Sequence, residues 1–349
     1  MIPVTVITGF LGSGKTTLIR NILQQPGFAR TAVIVNEFGE IGLDHHLLAS
    51  SDDKIFLLTS GCLCCAVRSD LVTALLDLHW RSSQGSIPPF DRVIIETSGL
   101  ADPAPLMHTF MTGANVAELF TLTSIITVVD AVHGADTLDR YQEASRQLAV
   151  ADKILITKTD LMDAEPLRKR IVALNPTANR TSVINGAIHP SAIFEDPRHH
   201  GRNTYGVVAP GGREGGPDAV PHTSGIESFA LLRDEPIPAL ALTLMLQAVA
   251  EHCGEKLLRF KGLINLVETP ERPVVVHGVQ HVFDPLVWLD RWPDENRATR
   301  MVFIGVGIPK RWPESLLVLA TEDVRLEVAR RAMNPAQTLG EERKPLAVR

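Results

Sequence analysis

The chain has 349 residues, 45% of them hydrophobic, with a formal net charge of −6. That length allows two domains with substantial cores, and the acidic balance provides no electrostatic footprint for nucleic acid. No apolar run is long enough to cross a bilayer, and neither terminus carries a recognisable targeting signal, so a cytoplasmic protein with no membrane partner is expected.

The first element is a strand over 4–8, Val4-Thr5-Val6-Ile7-Thr8. It runs into Gly9-Phe10-Leu11-Gly12-Ser13-Gly14-Lys15-Thr16, and a helical pattern follows over 16–24. This is G-x-x-x-x-G-K-[ST] in the strand–loop–helix setting that a phosphate-binding loop requires. The glycines let backbone N–H groups converge on a phosphate, and the helix N-terminus adds partial positive charge. Lys15 is expected to reach the terminal phosphates of a nucleoside triphosphate, and the Thr16 hydroxyl to help hold Mg²⁺. The nucleotide-binding residues at this end are therefore Gly9, Gly12, Ser13, Gly14, Lys15, Thr16 and Thr17.

Strands are expected over 32–36 and 55–58, the second followed by Ser60-Gly61-Cys62-Leu63-Cys64-Cys65. Three of the four cysteines lie in this stretch. With no secretory signal a disulfide framework is not expected, which leaves metal or redox chemistry. Three thiolates can hold zinc at about 2.3 Å and leave one tetrahedral position for another residue, water or a recipient protein. In a regular strand Cys65 points away from Cys62 and Cys64, so convergence needs a turn, which Gly61 permits. Three small buried hydrophobes and a redox sensor are the alternatives.

A helix over 69–82 and a strand over 92–96 lead to Glu96-Thr97-Ser98-Gly99-Leu100-Ala101-Asp102-Pro103. An acid at a strand end beside the phosphate loop is placed to orient the Mg²⁺ shell, and the Gly99 N–H to approach the γ-phosphate. Glu96 thus joins Lys15 and Thr16 as an expected catalytic group, while no residue is singled out to orient the attacking water. A helix over 103–111 and strands over 124–129 and 153–157 follow, the last ending in Thr157-Lys158-Thr159-Asp160. A buried aspartate here can accept from guanine N1–H and the 2-amino group; adenine offers neither pattern and would leave it unpaired. Thr157, Lys158 and Asp160 are accordingly assigned to the base end. Thr157 stands where Asn-Lys-x-Asp has asparagine, so a hydroxyl replaces an amide that would brace the phosphate loop. A surface strand end with ordinary charges is the alternative reading.

With a helix over 166–175 and a strand over 181–184, the βα alternation across 1–185 implies an α/β P-loop NTPase domain with a mostly parallel sheet. Residues 186–224 are rich in glycine and proline and read as a linker, whose His189, His199, His200 and His222 are taken as solvated. Strands over 226–232, 256–267, 273–279 and 299–306, with helices over 237–253 and 313–320, suggest a smaller α+β domain at 225–320. Cys253 reads as a buried structural thiol. Trp288, Trp292 and Trp312 suit either a partner surface or rim packing. The C-terminal segment, 321–349, is expected to fray at its end.

Taken together, the motifs resemble the CobW-type family of metal-handling GTPases, which includes zinc chaperones and nitrile hydratase activators. The matching residues are the phosphate loop, Asn36-Glu37-Phe38-Gly39-Glu40, Gly61-Cys62-Leu63-Cys64-Cys65, the Glu96–Pro103 run and Thr157-Lys158-Thr159-Asp160. The resemblance implies GTP hydrolysis with GTP, Mg²⁺ and Zn²⁺ as cofactors, coupled to delivery of the metal to a client metalloprotein. It also makes 36–46 a nucleotide-sensitive switch, with Glu37, Glu40 and Asp44 as candidates for Mg²⁺, water positioning or a fourth zinc ligand. Glu40 is the one carried forward beside Cys62, Cys64 and Cys65. Self-association is compatible with this reading. The alternatives are cobalt or iron insertion for corrinoid synthesis or a nitrile hydratase, a nucleotide-switched regulatory protein with structural zinc, and a P-loop small-molecule kinase.

Overall fold

The computed structural model describes residues 1–25, 28, 30–35, 57–59, 67–184, 186–194 and 225–333. Seven strands form one sheet: β1 Ile2–Thr8, β2 Thr31–Val35, β3 Leu57–Thr59, β4 Arg92–Glu96, β5 Phe120–Asp130, β6 Lys153–Thr157 and β7 Asn179–Val183. Their order is β3-β2-β4-β1-β5-β6-β7, and every pairing is parallel. Central parallel strands are covered on both faces, which is why Val4, Val6, Ile7, Val93, Ile94 and Ile95 are all fully buried in continuous apolar runs. The covering helices are α1 Lys15–Leu23, α2 Val67–Ser83, α3 Ala104–Thr112, α4 Ala114–Ala117, α5 Gly134–Arg140, α6 Gln142–Val150, α7 Glu165–Leu174 and α8 Pro190–Ile193.

The short helices α5 and α6 have no counterpart in the sequence reading. Helix α6 is short and mostly covered, with Ala144, Ser145, Gln147, Leu148, Ala149 and Val150 buried. Residues 186–194, assigned to the linker, pack instead. Ile188 and Ile193 are buried in the core beneath α1, and the Phe194 ring lies 4.9 Å from that of Phe28. Apolar side chains spaced between glycine and proline were enough to dock this stretch.

The second sheet is antiparallel, built from β8 Ile226–Arg233, β9 Leu257–Ile264, β10 Val274–Val279, β11 Val282–Phe283, β12 Val287–Trp288 and β13 Thr299–Val306. Helices α9 Ala239–Cys253 and α10 Trp312–Met333 pack on one face over Phe260 and Phe303, whose rings meet edge to face at 4.9 Å. Helix α10 runs well past the expected 313–320, since Leu317, Thr321 and Val324 continue its inward stripe. Cys253 is buried, and that burial pushes its thiol pKa up. Trp312 packs on this core, Trp292 Nε1 donates to Pro270 O at 2.9 Å, and Trp288 is largely exposed.

The two sheets are joined by a buried charge cluster. Asp152, between α6 and β6, meets Arg259 Nη2 at 2.5 Å and Lys261 Nζ at 2.9 Å, both on β9, and accepts the Ile125 N–H at 3.0 Å. Ser228 Oγ donates to Ala173 O at 2.8 Å beside it, and Leu258, Val302 and Ile304 share a core with the parallel sheet. Burial opposes the Asp152 charge, but Arg259, Lys261 and the Ile125 N–H outweigh it and hold the carboxyl well below the usual carboxylate range. A depressed folded-state pKa means this stabilisation is complete above the unfolded value of about 3.9 and is lost as pH falls below it. Asp152→Asn is therefore expected to cost about 3–5 kcal/mol, because it leaves two buried cations without their carboxylate. Urea melts across the acid range should show the variant losing less stability below about pH 4 than the parent.

Candidate nucleotide site

Strand β1 lies between β4 and β5, strands of opposite halves of the sheet, so the loop after it emerges at the topological switch point. Gly9 sits at φ +142°, and a Cβ there would stand 2.2 Å from Val128 O, so only glycine lets the loop pass this close to β5. Past the end of β4 the pairing with β1 continues through one backbone and one side-chain bond: Thr97 N donates to Ile7 O at 3.0 Å, and Thr97 Oγ1 to Thr8 Oγ1 at 2.8 Å. This seats the Glu96 run directly beside the loop.

The described candidates converge here. Gly9, Gly12, Ser13 and Gly14 form the loop, Lys15 and Thr16 open α1, and Thr17 is exposed on its first turn. Lys15 is largely buried, its Nζ donating to Gly9 O at 2.8 Å and Phe10 O at 3.3 Å. Thr16 Oγ1 donates to Glu96 Oε1 at 2.9 Å. A hydroxyl and a buried carboxylate oxygen at one point form a hard donor set that fits Mg²⁺. A Cβ on Gly99 would approach Leu11 N to 2.6 Å, so this backbone lies against the loop.

The base-end element grips the same loop. Thr157 Oγ1 donates to Ser13 O at 2.7 Å, so the hydroxyl does supply a brace where an asparagine amide was missed. Lys158 Nζ donates to Gly12 O at 3.1 Å and pairs with Asp130 at the end of β5. These contacts hold Lys158 in the left-handed region at φ +57°, an uncommon conformation for a residue with a Cβ. The turn it begins leaves Asp160 exposed rather than buried, since β6 has ended at Thr157.

Asp130 is a site residue the sequence reading missed. Burial acts to raise its pKa, but the Lys158 ammonium and the N–H groups of His133 and Val132 hold its carboxyl below the usual range. A strand-end acid at 130, matching Glu96 on β4, was the available signal. Gln147 of α6 was also missed; its Nε2 lies 3.0 Å from both Gly99 O and Ala101 O, and an isolated glutamine carries no sequence signal. Glu40, Cys62, Cys64 and Cys65, with Glu37 and Asp44, lie outside the described residues. A cleft of about 1170 Å³ lined by Met107, Phe110, Phe120 and Trp288 lies away from the loop, between the two sheets.

This fold and site define a nucleotide-binding P-loop protein with an appended antiparallel-sheet domain. The description "CobW/HypB/UreG, nucleotide-binding domain" matches residues 3–183, and "Cobalamin synthesis protein cobW C-terminal domain" matches 226–318. The chain belongs to this family. It is 35% identical over 317 residues to the zinc chaperone YjiA of Escherichia coli, covering 88% of this chain and 95% of that protein. It is 32% identical to the zinc chaperone CobW of a Sinorhizobium species, covering 87% and 93%. The crystal structure of Zn(II)-bound YjiA GTPase from E. coli superposes with a TM-score of 0.68 at 30% identity, covering 91% of this chain and 98% of that one.

Thr157→Val keeps the side-chain shape and leaves the Ser13 carbonyl without its donor. The expected result is GTP and GDP affinity reduced alike by about tenfold, an effect on the order of one lost hydrogen bond. Calorimetric titration measures it, and unchanged affinities would detach Thr157 from the loop.

Proposed function

We propose that this chain is a GTP-hydrolysing metallochaperone that binds zinc through Cys62, Cys64 and Cys65 and passes it to a client metalloprotein. The observation that carries the nucleotide half is the convergence of Lys15, Thr16, Glu96, Thr157 and Lys158 on one loop at the switch point of a parallel sheet. The metal half is supported by three thiol residues in four positions and by relatives described as zinc chaperones.

The loop N–H groups and Lys15 bind the β- and γ-phosphates, giving up or sharing the two carbonyls Lys15 now holds. Thr16 and Glu96 would hold Mg²⁺, whose chemistry there would be to neutralise charge on the phosphates. Thr157 and Lys158 keep the loop in register, and Asp160 on its exposed turn accepts from the guanine edge. Zinc is cargo: Cys62, Cys64 and Cys65 bind it as thiolates, with Glu40 as the candidate fourth ligand and exchange with a client at that position. The switch stretch 36–46 lies in sequence between the phosphate loop and the cysteines, which is the basis for coupling the two halves. Small-molecule phosphorylation is disfavoured by the Thr-Lys-Thr-Asp element.

Lys15→Ala should sharply reduce hydrolysis with the fold intact, since its charge acts on the ligand. Asp160→Asn should weaken GTP binding by about 1.5–3 kcal/mol and favour xanthosine nucleotides, whose 2-oxo group accepts a hydrogen bond. Nucleotide competition assays measure that preference directly. For the coupling, zinc affinity is expected to differ about 5- to 150-fold between a non-hydrolysable GTP analogue and GDP, with reciprocal effects on nucleotide affinity. Because thiolates are the ligands, zinc binding should release protons and weaken as pH falls. Serine at 62, 64 and 65 should abolish the coupling and spare nucleotide binding; identical zinc affinities in the two nucleotide states would sink the switch.

A further inference from the structure

We propose that Gln147 is a positioning residue for GTP hydrolysis, holding the backbone of 99–101 against the phosphate loop so that the Gly99 N–H stands at the γ-phosphate. The proposal rests on the GTPase reading above. Gln147 is fully buried on α6, and its Nε2 lies 3.0 Å from Gly99 O and 3.0 Å from Ala101 O. Only the nitrogen end of an amide can face two carbonyls, so its orientation is set by these partners. Its main-chain carbonyl accepts the Thr127 hydroxyl at 2.7 Å, tying this point of the helix to β5. On the opposite side, the Gly99 backbone is pressed on Leu11 of the loop too closely to admit a Cβ. The 99–101 backbone is therefore clamped from both sides. The preceding residue of α6, Arg146, pairs with Asp102 at 3.0 Å and fixes the far end of the same run. Gln147 Oε1 meanwhile is buried and has no hydrogen-bond partner among the described residues. A methionine would fill the space without stranding that oxygen, so packing alone does not account for an amide here.

GDP has no phosphate at the Gly99 N–H, and this separates positioning from general support. Gln147→Met is expected to lower kcat by about 10- to 100-fold, the scale of a misplaced contact. GDP affinity should stay within about twofold, while the preference for a non-hydrolysable GTP analogue over GDP falls. Gln147→Glu adds a second readout. Protonated, it can still donate to one carbonyl; ionised, it repels both, so its activity should fall with rising pH where the methionine variant shows only the parental profile. Thr127→Val, which removes the tie to β5 and leaves the amide in place, should show a smaller loss of the same kind if the methionine variant does not fold. Thermal melts establish folding for each. A folded Gln147→Met with parental kcat and parental analogue preference overturns the proposal, as does an equal loss of GDP and analogue affinity. If the parent hydrolyses no GTP, the GTPase reading fails on its own, and the analogue-to-GDP ratio still decides the role of Gln147.

Discussion

The site depends on how the carbonyl groups of the phosphate loop are held. A loop that binds anions through its N–H groups needs its carbonyls engaged elsewhere, because a carbonyl facing a phosphate repels it. Here Thr157 takes the Ser13 carbonyl and Lys158 the Gly12 carbonyl, both from a strand end two positions across the sheet. Lys158 is in turn anchored by Asp130, so one buried carboxylate stabilises the ammonium that secures the loop. The base-end element and the phosphate end are thereby mechanically one object. Under the proposed function, a base engaging Lys158 and Asp160 acts on the same backbone that binds the phosphates.

Helix α6 extends this arrangement toward the second domain. Its Arg146 and Gln147 hold the run after Glu96, and the residue closing its turn into β6, Asp152, is gripped by Arg259 and Lys261 of β9. On α3, which begins just past the same run, His108 Nε2 lies 3.2 Å from Val279 O of the antiparallel sheet. Asp152, just after α6, and His108, on α3, thus contact the C-terminal domain directly. The buried ion cluster makes this contact between the sheets costly to break.

The proposed hydrolytic end is electrostatically economical. Glu96 is almost fully buried beside the Thr16 hydroxyl, and Lys15 is nearly as covered. In the proposed function these two charges, screened little by water, act strongly on a bound metal and on phosphate oxygens. Among the described residues no helix is long and apolar enough to cross a membrane, and no group of three His, Cys, Asp or Glu is placed to hold a metal. The metal half of the function therefore rests on the cysteine stretch and the family.

Much of the fold was legible from the chain alone because its signals are local. Strands β4, β6 and β13 match their expected bounds, since apolar runs flanked by turn residues are governed by burial on both faces. The phosphate loop was equally legible, because glycine spacing and a following lysine and threonine encode a backbone shape directly. Asp130, Gln147 and the Asp152 cluster were not. Each matters through a partner far away in sequence, 28 positions in the case of Asp130 and Lys158, 48 for Gln147 and Gly99, and 107 for Asp152 and Arg259. Nor could the sequence place Asp160 in solvent or draw residues 186–194 into the core. Periodicity and motifs report which surfaces a segment buries; which side chain meets which carbonyl or charge is decided only when the sheets close over one another.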